Sequence, residues 1–199
     1  MDIEQLVDIL MRVKREDSRI SAIVLGIPGV VHDGMITHLP YLPKLQGVNV
    51  EKTLAMHLGI KVFIENDINA IAWAERERWQ DFCHIFWDKG CIGAAIVLGG
   101  KLVRGSHGAA GELEWVCDKN ESSYCYLAQS IAIVMSVIDV GDIALSGDEM
   151  QSINLDLLSD ELSKRIPKER LPRLHKIEQI ELYQQGLWKM ILEDWEEKI

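Results

Sequence analysis

Between Val62 and Glu75 the chain changes its period without a turn. Val62-Phe63-Ile64 is an apolar, β-favouring run that passes straight into Glu65-Asn66-Asp67. Ala70, Ile71, Ala72, Trp73 and Ala74 then read as helix. A buried strand that delivers two carboxylates and an amide to its own end, with a helix beginning at once, points to an α/β layer. In such layers ligands bind beyond the carboxyl ends of the strands. A carboxylate there can take a proton from a bound hydroxyl, and an amide can orient that hydroxyl. The same residues can equally cap the helix, because Asn or Asp ahead of an apolar helix satisfies its free N–H groups. On this stretch alone both readings stay open.

The flanking segments extend the alternation. "IEQLVDILMRVKRED" places Ile3, Leu6, Val7, Leu10 and Val13 on one helical face. "ISAIVLGIPGVV" predicts a buried strand that breaks at Gly26-Ile27-Pro28-Gly29, and "GMITHLP" a short strand. "VNVEKTLAMHLG" predicts a helix closed by Gly59, ahead of the strand "IKVFIEND" and the helix "INAIAWAERERW". This helix, strand, helix, strand, helix series favours parallel pairing. Downstream, "CHIFWDK" and "CIGAAIVLGGKLVRG" read as strands, the latter with a hairpin turn at Gly99-Gly100. "GAAGELEWV" reads as a loop, "YLAQSIAIVMSVIDV" as an apolar helix and "DIALSG" as a short buried strand. The tail from Ile177 reads as one long amphipathic helix.

Charge and thiol content remove several function classes. The net charge of −10 over 199 residues argues against a nucleic-acid surface, which needs clustered Lys and Arg. The densest basic stretch, Lys164-Arg165 to Arg173, is interrupted by Glu169, Pro167 and Pro172 and reads as a solvated loop or helix end. No apolar run is long enough to span a bilayer, and "MDIEQLVDIL" has neither a basic start nor a cleavable apolar segment. Cys83, Cys91, Cys117 and Cys125 form no CxxC pair, so reduced thiols and a cytoplasmic location are expected. The six His show no metal-ligand spacing, and no Ser/His/Asp motif is present.

Three further features could carry chemistry. Glu112, in "HGAAGELEW", could grip sugar hydroxyls from a glycine-rich loop, although a lone Glu there is more often solvated. Gly26-Ile27-Pro28-Gly29 could shape a pocket wall or be a plain turn. Gly90, Gly93 and Gly99-Gly100 suggest a phosphate loop, but the pattern is loose.

Together these pieces resemble the ROK family, named for repressors, open reading frames and sugar kinases. "GIPGVV" is similar to its Gly-Ile-Pro-Gly strand end. "IENDINAIAWAE" is similar to its Glu-Asn-Asp-x-Asn-Ala-x-Ala-x-x-Glu signature. "IGAAIVLGGKLVRGSHGAAGELEW" resembles its hairpin and Ala-Gly-Glu-Leu-Gly-His loop, and "VIDVGDIALSG" its later Asp-Pro-Glu-x-Ile-Val-Leu-Gly-Gly segment. The resemblance implies an actin-like ATPase, ribonuclease-H-like α/β fold in two lobes with a sugar in the cleft. Residues 1–75, joined by the helix at 178–199, would form an N-terminal lobe, and residues 76–177 a C-terminal lobe. Asp67 would occupy the position of the base that deprotonates a sugar hydroxyl. Asn66, Glu112 and Glu65 would be substrate-binding, and Gly90 and Gly93 would be what is left of a cofactor-binding phosphate loop.

The departures from the family pattern shape the functional expectation. Family kinases begin with an Asp-x-Gly-x-Thr hairpin that holds ATP phosphates, whereas this chain begins with a helix that follows it, so the N-terminal lobe reads as truncated. The second phosphate loop, Gly-Thr-Gly-x-Gly, is replaced by Lys89-Gly90-Cys91-Ile92-Gly93, which puts a side chain where backbone should approach phosphate. Glu114-Trp115 stands where the family has Gly-His, and a short "CDKNESSYC" replaces its zinc-binding cysteine cluster, so neither zinc nor another metal is expected. Tyr41 replaces a sugar-binding Asn.

The expected function is therefore a sugar-binding or regulatory protein without a nucleotide cofactor. One alternative is a sugar kinase for a hexose or N-acetylhexosamine, needing ATP, Mg and a partner chain; the other is a remnant with a structural role. A DNA-binding repressor would need a helix-turn-helix domain, for which the chain has no room. Without the hairpin, the "AIVLGIPG" strand would present an open edge, which a homodimer or a partner chain should cover.

Overall fold

Asp2 accepts the Gln5 N–H at 3.1 Å while the Gln5 side chain accepts the Asp2 N–H at 3.0 Å. This reciprocal cap starts α1 (Ile3–Glu16). The computed structural model describes residues 1–88, 90–117 and 122–196. Lys89, part of the expected phosphate loop, and residues 118–121 of the "CDKNESSYC" segment lie outside them, as do residues 197–199 of the expected C-terminal helix.

The first layer is built on β1 (Ala22–Ile27) and β4 (Lys61–Asn66), which pair in parallel with Gly26 opposite Glu65 and Ile27 opposite Asn66. Between them lie the β2 (Val30–His32) and β3 (Met35–His38) hairpin and α2 (Val50–Leu58). Leu10 of α1, Val50, Leu54 and Leu58 of α2 and Val62 and Ile64 of β4 meet in one core. Met11 rather than Val13 completes the packed face of α1; Val13 is exposed.

The second layer is a sheet in the order β7 (Lys101–Leu102), β6 (Cys91–Leu98), β5 (Phe82–Asp88), β8 (Asp142–Ser146) and β9 (Arg173–Lys176). Gly99-Gly100 makes the expected tight connection between β6 and β7. The sheet's core is shared with α4 (Ser123–Ile138) and α5 (Leu155–Leu162) through Ile85, Ile131, Ile143 and Leu158. Sequence periodicity left α5 and β9 undetected. The basic stretch expected to be a solvated loop or helix end finishes in a strand, because residues 173–176 pair in parallel with β8, and Arg173 donates to the buried Asp142 at 2.9 and 2.6 Å.

Two helices join the layers. α3 (Asp67–Glu75) packs Ile68 and Ala72 against Phe82 and Ala95 of the second sheet. α6 (Gln179–Glu196) lies across Ala70 of α3 and Val24 of β1 through Leu187 and Met190. A buried chain of side chains fastens α3 further: Glu75 meets His84 Nδ1 at 2.9 Å, and His84 Nε2 meets the Ser146 hydroxyl at 2.7 Å. All three residues are buried, so this chain anchors the helix whose first turn forms the site.

β1 is less buried than its apolar sequence predicts, with only Ile27 fully enclosed. Among the described residues β1 pairs with β4 alone, leaving its other edge without a strand partner.

Candidate functional site

The junction from β4 to α3 is direct, and Asn66 performs two tasks in it. Its side-chain oxygen accepts the Asn69 N–H at 2.9 Å, capping α3. Its amide donates to the Gly29 carbonyl at 3.1 Å, tying the Pro28-Gly29 turn to the same point. Asp67 follows as the first helical residue, and its carboxylate accepts the Ile68 N–H at 2.9 Å. Burial raises the Asp67 pKa to about 6. Backbone N–H groups oppose that shift, and the Glu112 carboxylate adds to it.

Glu112 reaches Asp67 from the other layer. The Ala94 N–H of β6 donates to the Gly111 carbonyl at 2.8 Å. Gly111 has φ of +97°, and a Cβ on it would lie 1.9 Å from the Ala94 oxygen. Only glycine lets the loop run this close to the strand, and the next residue is Glu112. Burial raises the Glu112 pKa, nearby His38 works against that rise, and Glu114 adds to it.

Asn66, Asp67 and Glu112 line one cavity of about 460 Å³. Its walls include Gly29, Ile68, Phe86 and Gly93, and its rim includes His38, Tyr41 and Trp115. Two carboxylates and a carboxamide over a partly apolar lining suit a small polyhydroxylated molecule: the carboxylates accept from hydroxyls and the apolar faces cover carbon.

Glu65 does not line this cavity, contrary to its assignment as substrate-binding. Strand alternation puts it on the same face of β4 as Phe63, which α3 and α6 cover. There Arg104 donates to its carboxylate at 2.5 Å, the Asn69 amide at 3.0 Å and the Asn66 N–H at 2.9 Å. Gly90 is also apart from the cavity. It sits in the β5–β6 turn, and its N–H donates to the Glu149 carboxylate at 3.2 Å, so a phosphate at that amide would meet a negative charge. Gly93 does line the cavity, directly opposite Ile68, whose Cδ1 would be 2.6 Å from a Cβ at that position.

His38 escaped the sequence reading because a single His at the end of a short strand carries no pattern. Tyr41 and Trp115 entered that reading only as departures from a family motif, yet both stand at the cavity. Among the described residues no three His, Cys, Asp or Glu side chains are placed to hold a metal. Cys117 meets the Ser130 hydroxyl at 3.1 Å, and Cys125 donates to Glu161 at 3.4 Å, far apart in role. No described helix is long and apolar enough to cross a membrane.

The family model for the ROK family matches residues 2–126. The chain belongs to the ROK family. Among ROK relatives, a beta-glucoside kinase from Listeria monocytogenes is 28% identical over 116 residues, covering 55% of this chain and 39% of that protein. The DNA-binding transcriptional repressor Mlc from Escherichia coli is 21% identical over 148 residues, covering 68% of this chain and 36% of the repressor. The chain spans less than half the length of either relative. A ROK family protein from Streptococcus pneumoniae, solved in complex with sucrose, superposes with a TM-score of 0.76 at 17% identity, covering 98% of this chain and 88% of that one. The fold is the actin-like ATPase fold of the ROK sugar kinases.

Proposed function

We propose that this ROK protein binds a small sugar at the head of α3 and serves as a binding or regulatory protein without transferring phosphate. The observation that carries this reading is the convergence of Asn66, Asp67 and Glu112 on one cavity. Both sugar kinases and a transcriptional repressor among the relatives are consistent with sugar recognition as the shared property. The absence of phosphate transfer is argued from the β5–β6 turn, where Glu149 already occupies the Gly90 amide and Cys91 adds a side chain. Phosphoryl transfer depends on positioning and neutralising phosphate charge, and the Glu149 carboxylate at the Gly90 amide works against both.

Calorimetric titration with glucose, mannose, N-acetylglucosamine and N-acetylmannosamine tests the reading. At least one should bind at millimolar concentration or tighter, and Glu112→Gln should weaken it. If none binds, a structural role without a ligand replaces the proposal.

A second reading, an ATP-dependent and Mg-dependent sugar kinase completed by a partner chain, is favoured by the Asp67 pKa of about 6, which suits a base near neutral pH. ATP-dependent phosphorylation that disappears in Asp67→Asn would establish it.

A further inference from the structure

We infer that Tyr41 and Trp115 form a second subsite that stacks a ring attached to the bound sugar, so that the ligand class is a glycoside with a cyclic aglycone rather than a free monosaccharide. This inference rests on the sugar-binding reading of the same cavity.

The cavity is lined by the half-buried Asn66, Asp67 and Glu112 and, more exposed, by two large rings. Tyr41 is 68% exposed and Trp115 60% exposed. A soluble chain gains nothing in folding from leaving a tryptophan surface in water, where burial would contribute favourably.

Neither ring is left to swing freely. Trp115 ends the short helical turn that begins just after Glu112, so the same turn aims the carboxylate and projects the ring. His38 packs edge-on against Trp115, with centroids 6.2 Å apart and planes at 86°. On the other side, the Tyr41 hydroxyl lies 3.0 Å from the Cys91 sulfur at the start of β6. Rings held in place before a ligand arrives lose less entropy on binding. An aromatic face presents apolar area while its polar tip stays wet, the combination needed against the C–H face of a sugar ring or an aryl ring.

The experiment compares methyl and phenyl glycosides of the four sugars named above, together with cellobiose, by calorimetry on the full chain. For whichever sugar binds, the phenyl glycoside or disaccharide should bind about tenfold tighter than the methyl glycoside, the scale of one aromatic contact. Trp115→Ala and Tyr41→Ala should each reduce the ratio of phenyl to methyl glycoside affinity, and Trp115→Phe should keep part of it. An unchanged thermal midpoint in these variants shows that the fold is intact. If methyl glycosides bind and the ring glycosides gain nothing, the subsite is rejected and the sugar site stands. An advantage that survives both alanine substitutions also rejects it. If no sugar or glycoside binds, both readings fall together.

Discussion

Asn66 donates to the Gly29 carbonyl at 3.1 Å, and this bond holds the end of β4 against the turn that leaves β1. The same side chain caps α3, so structure and site are supported by one residue. Asn66→Ala removes both bonds and should lower stability by about 1 to 2 kcal/mol while weakening sugar binding. Asn66→Asp keeps the capping oxygen but loses the donor to Gly29. It should recover part of the stability and little of the binding, as read by urea denaturation and calorimetry. An Asn66→Asp variant as stable as the wild type would mean that the Gly29 bond contributes nothing, and equal losses in both variants would mean that the cap contributes nothing.

Asp67 predicts a particular pH dependence. Its folded pKa of about 6 lies above its ordinary 3.8, so the folded state binds the proton more tightly. The stabilisation from that proton is complete below the ordinary value and is lost as pH rises through about 6. The ionised form then costs on the order of 3 kcal/mol. Asp67→Asn should therefore melt at a higher temperature than the wild type near pH 8, with the difference closing near pH 4. A difference independent of pH would show that ionisation of Asp67 is not its source.

Arg104 and Glu65 form a half-exposed pair, with the arginine side chain 45% exposed and the glutamate 5%. Solvent screens the arginine, but the carboxylate has little water to return to. Arg104→Met leaves that charge without its cation and should cost about 3 kcal/mol, whereas Glu65→Gln, which retains an acceptor for Asn69, should cost less. Chemical denaturation of the two variants measures the order. The reverse order would mean that Arg104 contributes little to holding Glu65.

The open edge of β1 lies beside Trp188 and Leu192 of α6, which are 64% and 54% exposed. β1 carries no charge, proline or bulge to discourage pairing, while β7 and β9 at the edges of the second sheet carry Lys101, Arg173 and Lys176. Concentration-dependent self-association is expected in sedimentation velocity, and Leu192→Lys should suppress it. A wild-type monomer across the micromolar range rejects this expectation.

Gly186 sits where α6 crosses α3, and a Cβ there would lie 1.7 Å from the Ala70 carbonyl oxygen. That atom is backbone and cannot swing aside. Gly186→Val should cost about 3 kcal/mol or more by driving the helices apart, seen as a lowered urea midpoint.

The strand-to-helix junction at Asp67, the helix closed by Gly59 and the hairpin at Gly99-Gly100 were all legible in the chain, because each is decided by neighbours in sequence. The candidate pair Asp67 and Glu112 was legible only through resemblance to a family motif, since 45 positions separate them. His38 was not legible at all. It comes to the cavity through the packing of the β2–β3 hairpin, and no local pattern encodes that placement.

The sequence by itself determined most of the strands and helices, though not α5 or β9, and where a carboxylate would stand at a strand end, because period, capping and turn chemistry act over a few residues. Tertiary structure alone decided the rest. Glu65 turned inward to Arg104, away from the cavity that Asp67 and Glu112 line, because strand alternation puts it on the face that α3 and α6 cover. Gly111 let the Glu112 loop close on β6, and the Gly90 amide was taken by Glu149. Those outcomes depend on contacts between distant segments, and local propensity says nothing about which of them a side chain will meet.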